Sequence, residues 1–333
     1  KLLNKIILVH LLRIKLEYSY KKIGEITSYD LIANLLSSFI LNKVNEREIN
    51  FLKLIINYQV DNLGMHKSYN ILEHSKFINN LNEIKNIFLY FNNTAPKEVD
   101  DNLIKMKSIL NEYFHNDGTL PLFNGTNNNY TKIINNSLNK EEYLRSRNYP
   151  DSKNGIAFYA DKKKRLFFDV VQPNKDKIGS NLSAGTLSFE LSYINEKIIT
   201  NCGASESLGK NPEYLRYSAA HSTIILQNTN ISEIRENNPH IKFPQLVKFS
   251  SNFLDNNLIF EGSHNGYLKK FNKIVKRTLI IKENENKLVG EDTIITVKNI
   301  KERIFYHIRF HLVDGMSYNF TNNKKNIILR TKL

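Results

Sequence analysis

The sequence predicts a two-domain α+β protein, with helices first and an antiparallel β-sandwich after them. Three observations carry this. As far as Phe114, apolar residues recur at helical spacing in five successive segments. From Tyr149 onward the pattern changes to short runs with period-two alternation and turn residues between them. A length of 333 residues suits two domains at the usual ~100–200 residues each. The division is placed at 143/144, giving a helical domain over 1–143 and a sandwich domain over 144–333.

The first helix spans 2–19, with Ile6, Ile7, Leu8, Leu11, Leu12 and Leu16 in helical register. Ser28 is the candidate N-cap of the second, whose stripe is Leu31, Ile32, Leu35, Leu36, Phe39, Ile40 and Leu41. Glu46 to Val60 forms the third, Ser68 to Phe91 the fourth, and Pro96 or Lys97 to Phe114 the fifth. Pro96 suits a first helical turn. Amphipathic helices joined by short loops describe an α-hairpin array or an (α/α) toroid, and periodicity does not choose between them. His115-Asn116-Asp117-Gly118 then ends the helical half with turn residues, and a last helix is expected over Tyr130 to Leu138.

Strands are expected at 156–160, 166–171, 186–192, 198–201, 223–227, 258–263, 274–282, 287–297 and 304–312, with another at 326–329. The third is the most regular. Thr186, Ser188, Glu190 and Ser192 alternate with Leu187, Phe189 and Leu191, the pattern of a strand with one face buried. Its neighbours in sequence bring Ser183, Asn201 and His221 near one another. A single cysteine, Cys202, excludes an internal disulfide framework and is expected to be a small buried residue.

Composition is that of a chain able to bury a core: 41% hydrophobic and 24% charged. Lys and Arg exceed Asp and Glu by 47 − 33 = 14. Such a balance attracts polyanions, either nucleic acid or acidic polysaccharide. No nucleic-acid motif accompanies the charge and the lysines are scattered, so no nucleic-acid partner is expected. No apolar run approaches ~18 residues, so no transmembrane segment is expected. The chain starts at Lys1 inside a helical pattern and stops after an apparent strand, and it is expected to be a fragment at both ends. Phosphate-loop, dinucleotide and serine-hydrolase motifs do not occur.

Three ordered pieces, GTLSFELS, IITNCGA and RYSAAHSTIIL, resemble the β-rich domain of heparinase II/III-like proteins. GMHKSYN at 64–70, FHNDGTLPLFNGTNN at 114–128 and EGSHNGYLKKFNKIVKRTLII at 261–281 extend the resemblance over roughly residues 60–312. These are polysaccharide lyases and relatives, so the resemblance selects a partial (α/α) toroid for the helical half. It implies β-elimination on an acidic, uronate-containing polysaccharide as the activity. It also favours the periplasm.

Elimination requires neutralisation of the C5 carboxylate, a base for its α-proton and an acid for the departing glycosidic oxygen. The resemblance implies His66 and Tyr69 as proton-transfer residues, with Asn70 beside them and Ser68 as polar support. The bland alternative is a helix start with Ser68 as cap and Tyr69 packed on the core. On the sandwich side, Arg216 is a candidate for the substrate carboxylate, with pairing to Glu190 or Glu213 as its alternative. Tyr267, beside an Asn265-Gly266 turn, is a candidate for stacking on a sugar face.

His221 matches the family's metal-site histidine. The other positions of that site hold Asn181, Ser183 and Asn201, and one histidine does not make a three-ligand zinc site. No metal and no cofactor are therefore expected, and His221 is assigned to substrate contact or to a hydrogen bond with Asn201. His307 and His311 are expected on one face of a strand, and His74 in solvent. The rival to the lyase is a non-catalytic glycan-binding or envelope-assembly protein that keeps the fold.

Overall fold

The computed structural model describes residues 2–131, 134, 155–173, 182–204, 213–235, 238–282, 285–298 and 303–330. The 143/144 boundary, most of the last predicted helix and Asn181 lie outside the described residues. Two compact units emerge. One is built on the helices of residues 2–113. The other joins residues 114–131 to the strands.

Five helices make the first unit: α1 (Leu2–Tyr20), α2 (Ser28–Ile40), α3 (Glu46–Gln59), α4 (Ile71–Tyr90) and α5 (Lys97–Glu112). Thr27, rather than Ser28, caps α2. Its hydroxyl accepts from Asp30 N (3.1 Å) and Asp30 accepts from Thr27 N (2.9 Å), a reciprocal capping box. Asn45 caps α3 through Glu48 N. Within the unit α2 packs on α1 and α4, and α5 packs on α4 and α3. Leu35, Ile55, Ile56, Ile78, Leu81, Ile84, Leu103 and Leu110 are all buried. Each such side chain contributes about 1.5–3 kcal/mol of burial. Helix α1 departs from this. Its Ile6, Ile7, Leu8, Leu12 and Leu16 are exposed, and Tyr18 is its buried residue.

The second unit carries fifteen strands among the described residues. They are β1 (Ile156–Ala160), β2 (Lys164–Asp169), β3 (Phe189–Tyr193), β4 (Glu196–Thr200), β5 (Ile224–Leu226), β6 (Glu233–Arg235), β7 (Asn238–Lys242) and β8 (Val247–Leu254). After these come β9 (Asn257–His264), β10 (Lys273–Lys282), β11 (Lys287–Thr296), β12 (Tyr306–Ile308), β13 (His311–Leu312), β14 (Ser317–Phe320) and β15 (Ile327–Arg330). A five-stranded sheet runs β1-β2-β3-β4-β13 and a four-stranded one β11-β10-β9-β8, with every pairing antiparallel. Their facing residues share one core, in which Phe168 of the first sheet lies parallel to Phe260 of the second, centroids 6.5 Å apart.

Three expectations change here. The predicted strand 304–312 is two pieces, because β12 pairs with β5 while β13 pairs with β4. His307 and His311 therefore sit in different sheets. Cys202 is exposed, not buried. The polar face of β3 is also covered. Ser188, Glu190 and Ser192 are fully buried, because residues 114–131 lie against that face.

Candidate functional site

In the helical unit the GMHKSYN stretch forms the turn that leads into α4. Lys67 N donates to Gln59 O (2.8 Å) and Tyr69 N to His66 O (2.8 Å). Tyr69 takes a left-handed backbone, φ 50°, a conformation that costs a bulky residue about 1–3 kcal/mol and persists only where the surroundings enforce it. His66 Nδ1 accepts from Ser68 Oγ (2.7 Å) and Ser68 N (3.2 Å), which leaves the Nε2 proton facing Gln59 Oε1 (3.4 Å). Ser68 Oγ accepts in turn from Asn70 N (3.2 Å). Asn70, not Ser68, is the α4 cap, its Oδ1 accepting from Leu72 N and Glu73 N (2.8 and 3.2 Å).

His66, Ser68, Tyr69 and Asn70 are all buried. Burial, reinforced by His74 and Lys67, pushes the His66 imidazole down to about 3, so it is neutral near pH 7. Both of its ring nitrogens already face protein groups. His74, expected in solvent, is fully buried. Its Nε2 donates to Met106 O (2.9 Å) and its Nδ1 accepts from His66 N (3.2 Å). The helical spacing of residues 71–90 could not reveal that partner, which lies on α5.

In the sandwich unit the central polar feature is Glu190, a carboxylate with no solvent exposure. Its Oε1 accepts from Leu122 N (2.9 Å), Asn201 N (3.0 Å) and Asn201 Nδ2 (3.0 Å). Its Oε2 faces Lys197 Nζ (3.1 Å) and His115 Nε2 (3.0 Å). Burial alone would raise its pKa, but Lys197, His115 and the backbone donors reverse this and hold it at about 2. Burial holds His115 below its usual value against the pull of Glu190. The ion pair is therefore Glu190 with Lys197, and neutral His115 donates its Nε2 proton. Lys197 also donates to Leu120 O (2.7 Å), which ties residues 114–131 to the sheet. Sequence reasoning missed this hub, although a Glu among Ser and Thr on an alternating strand was its signal.

The turns carrying Ser183, Asn201 and His221 do meet. Cys202 N donates to Ala220 O (3.0 Å), and Ser218 Oγ to Ala184 O (2.6 Å). The expected His221–Asn201 hydrogen bond is absent, because Asn201 spends its amide on Glu190 and its Oδ1 on Ser222 N (2.9 Å). His221 Nδ1 donates instead to Tyr217 O (2.9 Å). Its ring lies on Gly185, where a Cβ would meet Cδ2 at 2.5 Å, so that position admits only glycine. These residues do not fit a metal. Asn201 is consumed, Ser183 is a weak donor, and no three His, Cys, Asp or Glu side chains among the described residues are grouped to hold an ion.

Arg216 donates Nη2 to Leu182 O (3.0 Å) and is half-buried. The alternative pairing with Glu190 does not form. Tyr267 is corrected. It is 1% exposed, lies in the core against His264 and Phe271, and donates its hydroxyl to Thr229 O (2.9 Å). No face of its ring is left for a sugar. The turn beside it leads into a short helix, α6 (Leu268–Phe271), which draws the ring inward.

Asp169 is buried on β2, where its Oδ1 accepts from Val171 N (3.0 Å). Burial, only partly opposed by that bond, pushes its pKa up to about 7. An acid raised on folding costs stability as pH climbs from its unfolded value, ~3.9, through its folded one. Asp169→Asn keeps the Val171 bond and removes that cost. Urea melts are expected to show a gain of about 2–4 kcal/mol at pH 8 that vanishes near pH 4. Equal stability of the two proteins at pH 8 would contradict this.

These elements define a class: an α+β chain in which helices precede an antiparallel sandwich resembling the β domain of heparinases. The crystal structure of heparan sulfate lyase HepC from Pedobacter heparinus matches with TM-score 0.60 and 15% identity, over 81% of this chain and 45% of that one. The crystal structure of heparinase III matches with TM-score 0.65 and 14% identity, over 91% of this chain and 53% of that one. Identities this low establish a likeness of fold, and this chain spans about half the length of either structure. No curated protein matches in sequence. Residues 145–332, more than half of the chain, match the model of the heparinase II/III-like C-terminal region, and the chain belongs to the heparinase II/III-like family.

Proposed function

We propose that this protein is a polysaccharide lyase that cleaves an acidic, uronate-containing polysaccharide by metal-independent β-elimination. Its helical unit is read as part of an (α/α) toroid. The observation that carries the reading is the buried turn 66–70, which holds Tyr69 at a positive φ among His66, Ser68 and Asn70. Strain of this kind in a bulky residue is a mark of functional sites. Tyr69 is assigned proton transfer. His66 stays in the site as the neutral acceptor that fixes Ser68, and Asn70 as the cap that fixes the start of α4. His221 and Arg216 of the sandwich unit are assigned to saccharide binding, and the excess of basic residues to capture of the polyanion.

The test is a lyase assay on a panel of acidic polysaccharides, following the ultraviolet absorbance of the unsaturated uronate product. Elimination is expected on at least one of them, with the same rate after exhaustive chelation. A rate abolished by chelator and restored by zinc would overturn metal independence. Saccharide binding without any unsaturated product would favour the non-catalytic glycan-binding reading. Among the described residues no helix is long and apolar enough to cross a membrane.

A further inference from the structure

His221 is held less by its own contacts than by its neighbour Ser222, every polar atom of which is engaged. Ser222 N donates to Asn201 Oδ1 (2.9 Å) and Ser222 Oγ to Thr200 O (2.7 Å). The same hydroxyl accepts from His311 N (2.9 Å), and Ser222 O accepts from Arg277 Nη1 (2.8 Å). The grips come from the end of β4, from β13 and from β10. Thr223 Oγ1 adds one more, to Thr186 O (2.9 Å).

Arg277 does the widest part of this. It is 1% exposed, and its Nε and Nη2 fork onto Asp292 at 2.7 and 2.9 Å. With that carboxylate fixing the guanidinium plane, Nη1 reaches both Ser222 O and Leu187 O, each at 2.8 Å. Leu187 has a left-handed backbone, φ 64°, and its turn carries Gly185, on which the His221 ring rests. One cation therefore clamps the floor beneath the imidazole and the chain beside it. Asn201 secures the same chain from the other side through the Ser222 amide. With Nδ1 donating to Tyr217 O, Nε2 keeps its lone pair and has no hydrogen-bond partner among the described residues.

We infer that Arg277 and Asn201 are positioning residues for His221, acting through Ser222 and Leu187 so that its ring, only 2% exposed, is held in one tautomer and one orientation with Nε2 as the open acceptor. Lysine would keep the charge but lose the fork, since it cannot hold Asp292 and two carbonyls together. The inference rests on the proposed saccharide role of His221. Its test is made on the ligand-free protein, so its failure is separable from the failure of any lyase assay.

The experiment is nitrogen-15 NMR of the His221 ring in the wild type, Arg277→Lys and Asn201→Ala, with melting curves for each. Asp292→Asn is the milder variant, which loosens the fork without removing the cation. The wild type is expected to show one species with Nδ1 protonated and Nε2 bare. The variants that fold are expected to show a mixture of tautomers and about tenfold weaker binding of a heparan sulfate oligosaccharide in any case where the wild type binds it. A wild-type ring protonated at Nε2 would overturn the inference. So would a wild-type-like single tautomer in both Asp292→Asn and Asn201→Ala.

Discussion

Tyr69→Phe is expected to lower kcat on the cleaved polysaccharide by about 10²–10⁴-fold, the usual worth of a positioned acid or base. KM and the melting temperature should stay close to wild type, because the ring keeps its packing and only the hydroxyl leaves. His66→Ala is expected to behave differently. It removes the acceptor of Ser68 and the ring that lies 5.4 Å from Phe77, so it lowers stability, by about 1–3 kcal/mol for the groups left unsatisfied. The contrast separates a catalytic phenol from a turn-building imidazole. Near-full elimination activity in a folded Tyr69→Phe protein would move the chemistry elsewhere.

Lys197→Met is expected to destabilise the protein by about 3–5 kcal/mol near pH 8, the cost of leaving one partner of a buried ion pair uncompensated. Glu190 keeps its other four donors but loses its counter-charge. His115 then becomes the cation within reach, because the repulsion from Lys197 that helps hold it neutral is gone. A histidine whose folded pKa rises contributes stability below its unfolded value, ~6.5, and loses that contribution as pH rises through the folded one. Part of the deficit should therefore return on acidification toward pH 6. Denaturant melts at the two pH values read this directly. A deficit that is absent at pH 8, or that deepens on mild acidification, contradicts the assignment.

Glu190 itself adds to the acid sensitivity of the wild type. Its folded pKa lies below its unfolded one, so its contribution is present above ~4.3 and is lost as pH falls toward 2. Asp169 acts in the opposite sense between about 4 and 7.

Periodicity by itself determined the order of helices and strands and most of their positions. Apolar side chains must recur every 3.6 residues on a packed helix and every second residue on a packed strand, and that demand is written locally. It also placed β1, β9 and β10 to within a residue or two, since their inner faces carry apolar residues at alternate positions, such as Val275, Leu279 and Ile281, even where a buried Arg277 or His264 interrupts them. The ordered motifs around Leu187, Asn201 and His221 carried the family. Strand β8 was missed, because five of its eight residues are exposed and its alternation is weak.

Only the tertiary structure decided what the polar residues do. Tyr267 looked like a surface aromatic beside a turn, and α6 turns it into the core. His74 looked solvated and found Met106 O on another helix. Glu190 looked like one member of a polar strand face, and residues 114–131 bury it with Lys197. The physical reason is the same in each case. A buried polar atom must have a partner, and that partner is 32 residues away for His74, 38 for Tyr267 and 75 for the Glu190–His115 contact. Local spacing fixes which face of an element is apolar, whereas the partner of a polar group is fixed by which elements the fold brings together.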